Sequence, residues 1–287
     1  MISEPRYLTP INVFRTRQAA VPPHAFVDEH ARVMDPEVET GVIPLDLGET
    51  LETDGPATTP MMMTAYLAIR PGESLTHEAA ASGVIHYVMT GSGTSRAGGA
   101  EICWAAGDAF LLPGGVPATH HAGPDGARLF AADDSPALRF YGAQPQPGAI
   151  AATHFPAAEI EEQLSGIYQR DPDEDLTGKA LFLSRPGGGA YGTITPSMVA
   201  AINTLEAGGD QRAHRHNAAA ISLVLVGDET YATAGDARFD WQPFLVTITP
   251  PAARHTIHNR GPRQARAFIV QDSGLFFHAR ATGFAFD

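Results

Sequence analysis

Cysteine is nearly missing from this chain: Cys103 is the only thiol in 287 residues. That excludes an intramolecular disulfide and any zinc site built on paired cysteines. The segment around it, ICWAAG (102–107), reads as core, so a packed thiol is expected there rather than a nucleophile. Lysine is as scarce, with Lys179 alone accompanying the arginines, and composition gives it no functional reading. Positive charge is in deficit overall. The formal net charge is −13 and the pI is near 5.3, with no Lys/Arg run. Nucleic acid and anionic membrane surfaces need a basic patch, so neither is expected as a partner. No apolar run approaches the roughly 18 residues of a membrane span. The opening MISEPRYLTPINVF lacks a basic segment followed by an apolar one, so no signal peptide is read and a cytoplasmic location is expected.

Glycine and proline, in contrast, are plentiful, at 29 and 23 residues spread along the chain. They punctuate short apolar runs, which favours many strands joined by tight turns. Residues 1–60 read as an irregular N-terminal arm with one short helix around Ala25–Val33 and an acidic stretch, Asp35–Glu39. From Met61 to residue 145, runs such as GVIHYVMTGSGTSRAG and GDAFLLPGG have the texture of a barrel. Residues 146–195 read as a linker. It holds one helix over 157–168, where Ile160, Leu164 and Ile167 recur at helical spacing. Strand texture returns over 196–287 and resembles the first stretch, which implies an internal repeat of a β domain. The fold class expected is therefore all-β, two tandem jelly-roll barrels with a few short helices. Barrels of this kind with a long arm commonly pair, so a homodimer or homotetramer is expected.

Histidine placement carries the chemistry. In GGDQRAHRHNAAAISLVLVG (208–227), strand alternation turns His214 and His216 to one face and Arg215 to the other. Some forty residues on, TPPAARHTIHN (249–259) supplies His255 at a strand start. Two imidazoles one residue apart and a third from a distant strand can grip one ion facially, leaving other positions for small molecules. Imidazole nitrogens suit Fe, Zn, Ni, Cu or Mn. The plainer reading of His-x-His is a polar pair on an edge strand.

These segments resemble the two cupin motifs. Gly208, His214, His216 and Gly227 match Gly-x5-His-x-His with its turn glycine. Pro250, His255 and Asn259 match the second motif, with Ala252 where glycine is usual. The glutamate that completes many cupin sites is absent, its neighbourhood being Ala219, Ala220 and Ile221. Over about 195–260 the chain is similar to the gentisate, salicylate and 1-hydroxy-2-naphthoate 1,2-dioxygenases. That resemblance implies a bicupin (double-stranded β-helix barrels) binding Fe(II) through His214, His216 and His255. It implies ring cleavage of a small aromatic or conjugated acid, with Ser222, Ile257 and Asn259 lining the pocket. Zn, Mn or Ni would imply a cupin isomerase, lyase or hydrolase instead, and loss of turnover a small-molecule-binding cupin. Two departures stand out. Ser222 replaces the arginine that helps hold the substrate carboxylate, and Ile257 replaces a histidine near the substrate; Arg212, Arg238, Arg254 and Arg266 lie nearby in sequence. The first barrel reads as a degraded copy. Counting back from Gly93 puts the metal-binding pair at Ala80 and Ser82 and the glutamate position at His86. Gly107, Pro113 and Gly115 lead to Ala118 at the last ligand position, with His120 and His121 just beyond. His77, His86 and His120 are the residues there that could gather around an ion.

Overall fold

The computed structural model describes residues 3–169 and 179–286. One sheet of eight strands forms the core of the first barrel, dominated by the long antiparallel pair Gly83–Ala97 and Ala118–Asp133. The second barrel is a six-stranded sheet facing a five-stranded one. In the six-stranded sheet Ala220–Val226 lies between Val246–Thr249 and Ala265–Gln271. The five-stranded sheet carries His214–His216 and His255–Asn259 side by side. All strand pairings within both barrels are antiparallel, and the helices are few and short, as the glycine- and proline-punctuated sequence implies.

The segments flanking the barrels stitch them together. In the arm, His24–Ala25 pairs with Val246–Thr249 of the second barrel, and Gly41–Pro44 pairs with Met63–Ile69 of the first. The helix between them spans Val27–Met34 and buries Val33. After the first barrel, Thr153–Phe155 joins that barrel's sheet at Ala109–Pro113. The helix Ala157–Tyr168 then buries Ile160 and Leu164, one turn apart. Cys103 is exposed, contrary to the packed thiol expected. The strand Ala100–Ala105 alternates, with Ile102 and Trp104 turned inward, and the residue between them must face water.

The largest apolar cluster lies at the seam between barrels rather than inside either one. It unites Tyr66, Tyr87 and Phe130 of the first barrel with Ile221 and Phe268 of the second, and Phe26 of the arm. The Phe268 ring centroid is 5.3 Å from that of Tyr87 and 6.1 Å from that of Phe130. Tyr66 donates its hydroxyl to the Phe244 carbonyl across the seam at 2.7 Å. Asp134 adds a polar tie, accepting from the Ser82 backbone at 2.8 Å and from the Ser197 hydroxyl at 2.6 Å. None of the described helices is long and apolar enough to cross a membrane.

Two measurements probe this construction. Phe268→Ala is expected to cost about 3–5 kcal/mol, the usual range for a fully buried phenylalanine; calorimetry should show a lower and broader transition as the barrels uncouple. Burial raises the carboxyl of Asp133 to about 6. The folded protein therefore keeps a proton that the unfolded chain releases at ordinary carboxylate pH. The stability from this group is full below about pH 4 and is lost as pH rises through about 6. Urea midpoints of Asp133→Asn should accordingly fall less than wild type between pH 4 and 6.

Candidate metal centre

His214 lies opposite His255 in the ladder and opposite Phe286 on its other side. The ring centroids of His214 and His255 are 4.1 Å apart, those of His216 and His255 4.6 Å, and those of His214 and His216 5.8 Å. One ring nitrogen from each histidine lies within 4.8 Å of the other two. Among the described residues this is the single group of three or more candidate ligands so gathered.

Local backbone fixes which nitrogen faces the common point. His214 Nδ1 is 3.0 Å from the Arg212 carbonyl, His216 Nδ1 2.8 Å from that of Ala218, and His255 Nδ1 2.9 Å from that of Ala253. A carbonyl can only accept, so each Nδ1 carries the proton and each Nε2 keeps its lone pair. Burial further disfavours protonation of His216 and His255. His255 is pushed down to about 3, with the neighbouring His214 as the second cause. Neutral rings with Nε2 lone pairs turned to one point are what a divalent metal requires. The loop before His255 is held although it lacks the usual glycine: Ala252 adopts φ 60°, and its N–H donates to the His216 carbonyl at 2.6 Å. That conformation costs a non-glycine residue about 1–3 kcal/mol, which the surrounding contacts offset.

The three rings border a cavity of about 860 Å³ inside the second barrel. It exists because the walls carry small residues, among them Ala201, Ala220, Ala232 and Ala234. Ser222 and Ile257 line it. Asn259 sits outside the lining, fully buried, its amide donating to the carbonyls of Leu205, Glu206 and Arg263 and its oxygen accepting from Gly261. None of Arg212, Arg238, Arg254 and Arg266 lines the cavity. Arg212 lies over the Phe286 ring, Arg238 pairs with Asp240, and Arg266 pairs with Glu161. Among the described residues, the lone Lys or Arg in the lining is Lys179, held 3.4 Å from Glu206 and over the Tyr168 ring. Sequence reasoning passed over Gln271 and Phe284, which line the cavity beside the histidines. A glutamine at a strand end and a phenylalanine near the C-terminus carry no motif.

No protein-family model matches the chain. Its fold superposes on the salicylate 1,2-dioxygenase of Pseudaminobacter salicylatoxidans with a TM-score of 0.76 at 15% identity, covering 98% of this chain and 92% of that one. The fold is that of a bicupin. A second solved structure, a mutant of the oxalate decarboxylase of Bacillus subtilis, gives a TM-score of 0.57 at 15% identity over 90% of this chain and 78% of the other. In sequence, the bicupin is 33% identical over 99 residues to a 5-aminosalicylate 1,2-dioxygenase of a Comamonas species, covering 34% of this chain and 24% of that protein. It is 23% identical over 88 residues to a 5-nitrosalicylic acid 1,2-dioxygenase of a Bradyrhizobium species, covering 31% of this chain and 42% of that protein. The chain thus matches less than half the length of either relative, and over those stretches it is similar to dioxygenases of the salicylate type, on a bicupin fold.

The first barrel of the bicupin holds a different arrangement. His77 pairs with Ala118 in the register in which His214 pairs with His255, and Ala118 follows Pro113 by the step that separates His255 from Pro250. The register of the first ligand therefore falls at His77, not at the counted Ala80. Gly93 lies ten residues past the strand start at Gly83, with two register shifts between, whereas Gly227 lies seven past Ala220. The three extra residues displace the count. His86 and His120 are both buried, their ring centroids 5.0 Å apart, and His86 stacks on Phe110 at 4.6 Å. Ser95 Oγ accepts from the Trp104 indole N–H at 2.7 Å and shares a second hydrogen bond with His120 Nδ1, also at 2.7 Å, while His120 Nε2 is buried with no hydrogen-bond partner among the described residues. The group behind His120 is thus a hydroxyl, able to donate or accept, where each of the three rings in the second barrel has a carbonyl that can only accept. His121 lies on the alternate face, at the surface beside Ser74.

Ser95→Ala strands the Trp104 N–H and His120 Nδ1 in the core. Each unmet group costs about 1–3 kcal/mol, so a fall of that order or more in unfolding free energy is expected from urea titration. Bound metal should stay at the wild-type level.

Proposed function

We propose that this bicupin is a mononuclear Fe(II) ring-cleaving dioxygenase acting on a small aromatic acid of the salicylate or gentisate type, with His214, His216 and His255 as the metal ligands. The observation that carries the reading is the gathering of these rings: three imidazoles, each pinned at Nδ1 by a carbonyl, with one ring nitrogen of each within 4.8 Å of the other two at the cavity wall. When bound there, iron supplies Lewis acidity and redox chemistry toward dioxygen. The chain's own part is positioning and exclusion of water. Ile257 and Ala232 offer an apolar wall to an aromatic ring, and the cavity is of a size suited to one small molecule. With Ser222 in place of an arginine, no guanidinium clamps the substrate from that strand. The named substrates of the two curated relatives, 5-aminosalicylate and 5-nitrosalicylic acid, agree with a ring-bearing acid. The same reading includes a homodimer or homotetramer, supported by the exposed Ile11, Val13 and Phe14 of the N-terminal arm.

Emission spectroscopy on freshly purified protein, with oxygen uptake over a panel of salicylates and gentisate, tests the proposal. Iron near one equivalent with uptake is the expected result, and His216→Ala should lose most of the iron. Zinc, manganese or nickel without uptake would replace it with a Lewis-acid isomerase, lyase or hydrolase. A metal-free protein that binds these acids would leave a binding module.

A further inference from the structure

Strand register sorts the cavity floor into rows. Thr249 and Gln271 flank Ala220 in one row, and Thr247 and Ile269 flank Ser222 in the next. Two residues along a strand is about 7 Å, so Ser222, at the position of the missing arginine, lies one row away from Gln271. Gln271 stands level with the histidines: its Nε2 donates to His216 Nε2 at 3.4 Å. Its orientation is set from behind, where the Ser273 hydroxyl donates to Gln271 Oε1 at 2.8 Å. With the oxygen engaged, the amide can turn only N–H donors toward the ring of imidazoles. The acceptor it meets is the lone pair that a metal would take. Once that lone pair is committed, the donor needs another acceptor, and the open side is the cavity.

Resting on the proposed function, we infer that Gln271 is a specificity-determining residue that donates a hydrogen bond to an anionic oxygen of the substrate, carboxylate or phenolate, beside the metal. It supplies from the Ala265–Gln271 strand, as a neutral donor, part of the recognition that Ser222 cannot give. Ser273 acts as its positioning residue.

The test is anaerobic calorimetry of the iron-loaded protein with salicylate, gentisate and 5-aminosalicylate, together with bound-iron analysis. Gln271→Leu should retain wild-type iron and bind the tightest of the three about ten- to a hundredfold more weakly, the loss expected for one hydrogen bond to a charged group. Gln271→Glu, close to isosteric, should bind it more weakly still, because its carboxylate opposes an anion. Ser273→Ala should fall between wild type and Gln271→Leu. Binding by Gln271→Leu within twofold of wild type overturns the inference while leaving the dioxygenase reading intact. Failure of the wild type to hold metal overturns both, and wild-type iron protein that binds none of the three acids overturns the anion assignment.

Discussion

The hydrogen bond from each histidine's Nδ1 to a backbone carbonyl two residues away governs what this molecule can do. It is local, so each ring's orientation is settled by a few residues of its own segment: Arg212 for His214, Ala218 for His216, Ala253 for His255. The fold has only to bring two short strands into register, which the single pairing of His214 with His255 accomplishes. A strand slip of one residue would turn all these rings to the other face. The C-terminal strand Phe284–Phe286 and the edge of the His255 strand bracket the three-residue His214–His216 segment from both sides and hold that register.

The two barrels differ chiefly in what fills them. In the first, Phe110, Trp104, His86 and His120 occupy the interior, and close packing leaves the rings stacked on one another. In the second, alanines at the inward positions leave room for a guest. Burying an apolar ring contributes about 25 cal/mol per Å² removed from water, and the first barrel gains that stability where the second keeps a void. The seam compensates. Its continuous cluster through Phe26, Tyr66, Phe130 and Phe268 lets a hollow barrel lean on a solid one.

Much of this was legible in the sequence because the signals were local. Alternation of strand faces put His214 and His216 together, and Pro250 preceded His255 at the motif spacing. Glycine and proline punctuation revealed the strands, and the spacing of Ile160 and Leu164 matched the helix Ala157–Tyr168. What could not be read depended on partners far along the chain. Gln271 meets His216 across fifty-five residues, and no pattern announces it. The pair counted from Gly93 missed His77 because bulges change the number of residues in a strand without changing its neighbours. Cys103 was read as core because its neighbours are apolar, although the alternation that buries Ile102 and Trp104 turns it outward.

Comparison of the barrels explains why one gathers three candidate ligands and the other does not. A third imidazole is needed where Ala118 stands, but that absence alone would leave His77, His86 and His120 as substitutes. The Trp104–Ser95–His120 chain removes the last of these. An indole can only donate, so Ser95 accepts from it, and its second hydrogen bond, to His120 Nδ1, ties that ring into the packed core. Swinging that ring toward a common point with His77 would break this buried hydrogen bond. In the second barrel a backbone carbonyl behind each ring can only accept. The group behind the imidazole, a backbone carbonyl in one barrel and a core hydroxyl in the other, separates the histidines gathered as candidate ligands from those held in packing.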